Sequence, residues 1–225
     1  MPGLFRSLFG GGKSSQPPVR RLTHPRDLRQ GDIIRFGYLD QSELSNTQFE
    51  VAEINTYIYG DICYPELVLK DNAGTLLYLM VEEEDGETWL ALAKKIPKSM
   101  IEAIVDTATF GQILARGLGT RVQVRSKPDG FADWLADVYR EVDDRVTGDF
   151  VRGDARYLSP EALSRREHFT SCILEDPSEE FALEIETYDT GEVEMCATVY
   201  HDVAAIAEMW PGSFSPPGTG PERVG

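Results

Sequence analysis

Cysteine and histidine are scarce in this sequence, three of each. Cys63, Cys172 and Cys196 are an odd number, far apart, so they argue against a disulfide framework and fit a reducing compartment. No two of them stand two to four residues apart, and His24, His168 and His201 offer no pair at the four-residue helical spacing of a zinc site. His168 and Cys172 are four residues apart, which in a strand means one face but ~13 Å of separation. No Gly-x-Ser-x-Gly elbow is present, and Gly10 to Ser14 lacks the leading glycine and the preceding strand of a phosphate loop. Long apolar runs are missing too: nothing approaches the roughly 20 residues of a membrane-spanning helix, and no apolar core with a cleavage signal opens the chain. No catalytic residue, metal ligand or cofactor site is therefore expected.

Positive charge is the other shortage. Lys and Arg number 22 against 38 Asp and Glu, a formal net charge of −16. Residues 1–30 carry six basic side chains against one acid, a net of +5, which leaves −21 for the rest. An acidic body of this kind repels nucleic acid, so no nucleic-acid partner is expected. The apolar fraction of 41% is enough for a buried core in a chain of 225 residues.

The clearest structural signal lies between Glu167 and Tyr200. Phe181, Leu183 and Ile185 recur every second residue, as do Val193, Met195, Ala197 and Val199. That period makes strands with an apolar face and puts Glu184, Glu186, Glu192 and Glu194 on the other face. Asp189-Thr190-Gly191 is the turn between them. Strands are expected at about 31–37, 48–59, 62–70, 75–82 and 87–94, and again at 168–175, 180–188 and 191–200. Between the two sets, Met100, Ile101, Ile104, Val105, Phe110, Ile113 and Leu114 follow a helical period. They predict one helix over 97–116, or two short ones broken near Asp106-Thr107. Ser159-Pro160 opens a short helix over about 160–165. In 131–145, Trp134, Leu135, Val138 and Val142 suit a helix while Tyr139, Val146 and Phe150 suit strands, and both readings stay open. Asp202 to Trp210 reads as a last helix stopped by Pro211, with Val203, Ile206 and Trp210 on the face that packs on the 180–200 strands.

The expected fold class is α+β: mainly antiparallel β-sheet modules with a central helical connector and a short C-terminal helix. The divisions are a flexible basic segment over 1–27, a first β-rich module over 28–96 and the connector over 97–117. A second α+β module follows over 118–211, and a disordered Pro/Gly-rich tail over 212–225. Two similar sheets or one continuous sheet both satisfy the pattern.

Two stretches are candidate contact sites. Gly-Asp recurs at 148–149 and 153–154 beside arginine, so Asp149, Arg152, Asp154 and Arg156 form a candidate interaction loop, with the arginines able to order the acids by bidentate pairing. Near the start, Leu4, Phe5, Leu8 and Phe9 share one helical face beside Arg6, a candidate contact for a membrane surface or a partner. A tail folded back on the acidic body accounts for the same residues.

Several segments resemble one bacterial family, the YjfK-like proteins. They are "LFRSLFG" at the start, the sheet after "LRQGDIIRF", "YREVDDRVTGDFVRGDARYL" and, most specifically, "FALEIETYDTGEVEMCATVYHDVAAIAEMWP". The likeness covers about residues 20–211. The family brings no established activity, so no catalytic residue is carried over. The resemblance implies a cytoplasmic protein accessory to an envelope- or stress-related system and binding a protein partner; the N-terminal apolar and basic face would place it at the periphery of the inner membrane. Together with the acidic body, it favours a non-enzymatic adaptor or scaffold, with weak peripheral membrane contact through the N-terminus. One alternative is an enzyme or binding protein for a cationic small molecule such as a polyamine, for which acids converging in a deep cleft would be the sign. Another is a structural subunit of a homo-oligomer.

Overall fold

The computed structural model describes residues 20–84, 86–115 and 119–212. The candidate tail contact at Leu4, Phe5, Arg6, Leu8 and Phe9 lies outside them, as does 213–225. The first half of the chain gives β1 (Ile33–Phe36), β2 (Gln48–Tyr59), β3 (Ile62–Lys70), β4 (Leu76–Glu84) and β5 (Glu87–Lys95). Two helices follow, α1 (Lys98–Ile104) and α2 (Thr107–Ala115). Then come β6 (Arg121–Gln123), β7 (Val138–Arg152), α3 (Pro160–Leu163), β8 (Glu167–Glu175), β9 (Phe181–Tyr188), β10 (Val193–Asp202) and β11 (Ile206–Trp210).

The expected α+β class, dominated by antiparallel sheet, is the fold observed. β2 and β3 occupy the anticipated residues, and the helical connector is a pair. Asp106 separates its two members and accepts from the Thr109 amide at 2.9 Å, a side-chain cap that starts α2. Ser159 caps α3 in the same way, accepting from the Ala162 amide at 3.2 Å. At the turn between β9 and β10, Gly191 has φ +82°, a conformation that a side chain would strain.

One reading needs correction and one open reading is resolved. The segment 203–210 is not a helix: the C-terminal helical element is a single 3-10 turn, Val203–Ala205, capped by Asp202, and Ile206–Trp210 is a strand. β11 pairs antiparallel with β1, Ile33 opposite Trp210 and Ile34 opposite Met209. An edge needing a partner thus overrides a local pattern that fits either period, and Trp210 remains 39% exposed rather than buried against 180–200. In 131–145 the outcome is turn, then strand: Phe131 to Trp134 form a tight turn and β7 begins at Val138.

Among the described residues, eleven strands form one sheet in the order β11-β1-β2-β3-β4-β5-β10-β9-β8-β7-β6. Strands from both sides of the helical pair join it through β5 and β10. The sheet then closes on itself, because β2 also pairs with β7, Tyr57 opposite Phe150 and Thr56 opposite Val151. Eight strands (β2, β3, β4, β5, β10, β9, β8, β7) make a closed antiparallel barrel. Closure is possible because β2 and β7 are long and interrupted. β2 is irregular between Val51 and Glu53, so its first half pairs with β1 and its second with β7. β7 is irregular between Glu141 and Val146, where Arg145 has φ 59°. Such bulges bend a strand and increase its twist, which a small barrel requires.

Alternation along each strand sends one set of side chains inward and one outward. The outward set is apolar. Leu69, Leu77, Leu79, Leu90, Leu92, Leu183 and Met195 belong to one buried cluster that also holds Leu28, Phe36, Leu44, Ile104, Phe131 and Trp134 from outside the barrel. The main core therefore lies between the barrel wall and the segments that cover it. Trp134 is fully buried there. Replacing Trp134 with alanine should cost ~3–5 kcal/mol in a denaturant titration, while Trp210→Ala should cost about 1 kcal/mol or less. The reverse order would contradict this placement of the core.

Candidate functional site

The inward set of side chains mixes acids and aromatic rings with some aliphatic residues. It lines a cavity of about 690 Å³ to which every barrel strand contributes: Tyr57 from β2, Glu66 from β3, Tyr78 from β4, Ala93 from β5, Cys196 from β10, Glu186 from β9, Ser171 from β8 and Val146 from β7. A cavity shared by all eight strands is the interior of the barrel. The same parity of alternation that makes Leu183, Ile185, Met195 and Ala197 core residues points Glu184, Glu186 and Glu194 into this space.

The lining holds seven carboxylates (Glu66, Glu82, Glu83, Asp143, Glu184, Glu186, Glu194) against two basic side chains, Arg26 and Lys95, so the interior is strongly negative when its acids are ionised. Each deep acid has a donor. Asn55 Nδ2 donates to Glu66 at 2.9 Å, and the Thr198 hydroxyl donates to Glu184 at 2.6 Å. Glu186 accepts from the Tyr188 hydroxyl at 2.6 Å and the Tyr57 hydroxyl at 3.3 Å. Both basic groups are engaged as well: Arg26 pairs with Glu83 at 2.9 Å, and Lys95 with Glu194 at 2.5 Å.

Aromatic rings form another part of the wall, beside Met80, Ala91, Ala93 and Ile173. Tyr57 meets Phe150 and Phe169 edge to face at 5.2 and 5.4 Å between centroids, and Tyr59 meets Phe169 at 5.7 Å and Tyr64 at 5.9 Å. Gly148 makes this possible: a Cβ there would stand 2.7 Å from the Phe169 ring and 2.9 Å from that of Tyr59. Tyr59 and Phe169 meet across the strand between them only because that position carries no side chain.

Burial in a small, acid-rich space raises the carboxyl pKa values. Glu66 is pushed up to about 7 by burial, opposed by the Asn55 hydrogen bond and reinforced by the charge of Glu186. Glu186 is likewise pushed up to about 7 by burial, with the Tyr188 hydroxyl opposing and Glu184 adding to the shift. Burial raises Glu184 against the pull of Thr198. The Tyr57 hydroxyl is driven well above its ordinary value by burial and the nearby acids, so it stays a donor at neutral pH.

The sequence-derived interaction loop lies at one end of the barrel, in part on β7. Arg156 grips Asp154 with two bonds, Nε to Oδ1 at 2.8 Å and Nη2 to Oδ2 at 2.7 Å, and also donates to the carbonyls of Arg26 and Leu28. Asp149 is held by Arg166 at 3.1 Å and by His168, not by Arg152. Arg152 stands opposite Glu167 at 3.7 Å, on the wall of a second cavity of about 340 Å³. These four residues thus close β7 and fasten the segment after it.

Cys172 packs in the apolar cluster while Cys196 lines the interior, so the two point to opposite faces of the wall. Among the described residues, no three His, Cys, Asp or Glu side chains come together as metal ligands would. The interior tyrosines and Glu66 escaped notice in the sequence, although a signal for them exists. Tyr57 with Tyr59, Tyr64 with Glu66, and Tyr78 with Met80 and Glu82 share the strand parity opposite the leucines. Large rings on the acidic face of several strands indicate that this face is enclosed. No protein-family model, curated protein or solved structure matches this chain.

The raised carboxyl groups make stability depend on pH. Glu66 and Glu186 move from an ordinary 4.5 to about 7, so between those values the folded protein holds more protons than the unfolded chain. Their contribution is fully present below the unfolded value and is lost as pH rises through the folded one. Thermal unfolding should therefore show falling stability from about pH 5 to about pH 8. Glu66→Gln should flatten that slope and be more stable than the natural chain, by on the order of 2 kcal/mol, at the alkaline end. An unchanged slope in Glu66→Gln would refute the assignment.

Proposed function

We propose that this protein binds a small organic cation, such as a polyamine, inside its barrel. One observation carries the reading: carboxylates and tyrosine rings from six of the eight strands converge on a single interior space that all eight enclose. Carboxylates supply charge-assisted hydrogen bonds to ammonium groups, and ring faces attract the same charge and cover the intervening methylenes. The volume of about 690 Å³ falls within the roughly 300–1,000 Å³ common for small-molecule sites. The Lys95 ammonium already rests in this environment in the proposed manner, on Glu194 at 2.5 Å and over the Tyr78 ring at 5.0 Å.

The energetics favour a cationic occupant. Taking several carboxylates out of water is costly unless each ionised group gains a counter-charge. An amine binding here would lower the pKa values of Glu66 and Glu186 and release protons, so its affinity should rise with pH. The adaptor role rests on the acidic body and a family resemblance, neither of which gives a place for the partner; the cavity supplies a definite place and a definite chemistry.

Calorimetric titration with spermidine checks this. Binding is expected at about pH 8 and should weaken by about tenfold or more near pH 6, where Glu66 and Glu186 take up protons. The double substitution Glu66→Gln, Glu186→Gln should abolish most of it. Absence of binding at both pH values, or equal binding of a neutral diol of the same length, would overturn the proposal.

A further inference from the structure

The interior of the barrel is divided. The larger cavity and the second one, of about 340 Å³, share three lining residues: Tyr78, Lys95 and Glu194. Lys95 extends from the end of β5 and Glu194 from the start of β10, and the ammonium lies over the Tyr78 ring of β4. An ion pair and the ring beneath it therefore stand between the two spaces. The second space is mixed in charge, with Glu53, Glu167 and Glu192 among its acids and Lys70 and Arg152 among its bases.

Resting on the proposed cation site, we infer that Lys95 is a specificity-determining residue: its ammonium fills the subsite formed by Glu194 and Tyr78 and so sets the length of amine the barrel accepts. A ligand ammonium that reached this point would meet the same carboxylate and the same ring that Lys95 now uses. While Lys95 is present, an amine is confined to the larger cavity and gains nothing from additional length. Without its charge, Glu194 becomes an acceptor for a further ammonium at the boundary of the two spaces. No covalent step is involved. The exchange is one ammonium for another on a fixed carboxylate, which favours a longer linear polyamine over a shorter one.

The test is calorimetric titration of the full chain with putrescine, spermidine and spermine at about pH 8, where Glu66 and Glu186 are ionised. In the natural protein, affinity should change little between spermidine and spermine. Lys95→Met keeps the bulk of the side chain and removes its charge, and it should bind spermine about tenfold more tightly relative to spermidine. The double variant Lys95→Met, Glu194→Gln should lose that gain, because the vacated carboxylate is what the extra ammonium uses. Lys95→Gln replaces Lys95→Met if the latter does not fold, and the same shift is expected. If the natural protein binds these amines and both Lys95 variants keep its length profile, the inference about Lys95 is overturned and the cation site stands. If the natural protein and the variants bind none of them, the cation site itself is refuted, and this inference with it.

Discussion

Everything distinctive about this molecule follows from the pairing of β2 with β7. Without it the sheet would be an open, twisted ribbon with one apolar and one polar face, and the polar face would meet water. The pairing bends that ribbon into a barrel with the polar face inward. Asn55 to Ile58 lie against Asp149 to Arg152, joining parts of the chain nearly a hundred residues apart. Its consequence is an arrangement in which leucines of the wall face outward onto covering segments and acids and tyrosines face inward. Small barrels are commonly filled by apolar side chains. Here the apolar packing has moved to the outside of the wall, where β1, the helical pair and the Phe131–Trp134 turn supply the second layer.

That inversion has an energetic cost, and the hydrogen bonds show how it is limited. Asn55, Thr198 and the Tyr57 and Tyr188 hydroxyls each donate to a deep carboxylate. Such donors offset part of the desolvation of an ionised acid, and the remainder appears as a raised pKa. Glu66 and Glu186 at about 7 are thus poised near neutrality, and a bound cation shifts them toward the ionised form. Lys95 is the one lysine in the described lining of the larger cavity, and it is held by carboxylate and ring together. The geometry that accommodates this resident ammonium is the geometry proposed for a ligand.

How much of this was legible in the sequence depends on the range of the interaction. Strand periods set by neighbouring residues were readable: β9 follows the every-second-residue row of Phe181, Leu183 and Ile185, and β10 that of Val193, Met195, Ala197 and Val199. The break at Asp106 between α1 and α2 was also readable, since a cap is a local matter. Ile206 to Trp210 was misjudged because a strand partner, β1, decides it from the far end of the chain. The opposition of Glu184 and Glu186 to the apolar row was read correctly, but the face they occupy is enclosed rather than open. Enclosure depends on ring closure, and no local pattern around Gly148 announces that β7 will meet β2. The aromatic residues on the acidic parity were the available clue.

The central claim is that Glu66, buried, and Glu186, half-buried, face the inside of the barrel and become ionised against a bound cation. Carbon-13 NMR of the glutamate side-chain carboxyls, titrated with and without saturating spermidine, addresses it directly. Free protein should show two glutamates titrating near 7, assigned by Glu66→Gln and Glu186→Gln, and both should shift toward the ordinary carboxylate range when the amine is present. Titration of both groups at ordinary values in the free protein, unaffected by spermidine, would contradict the account.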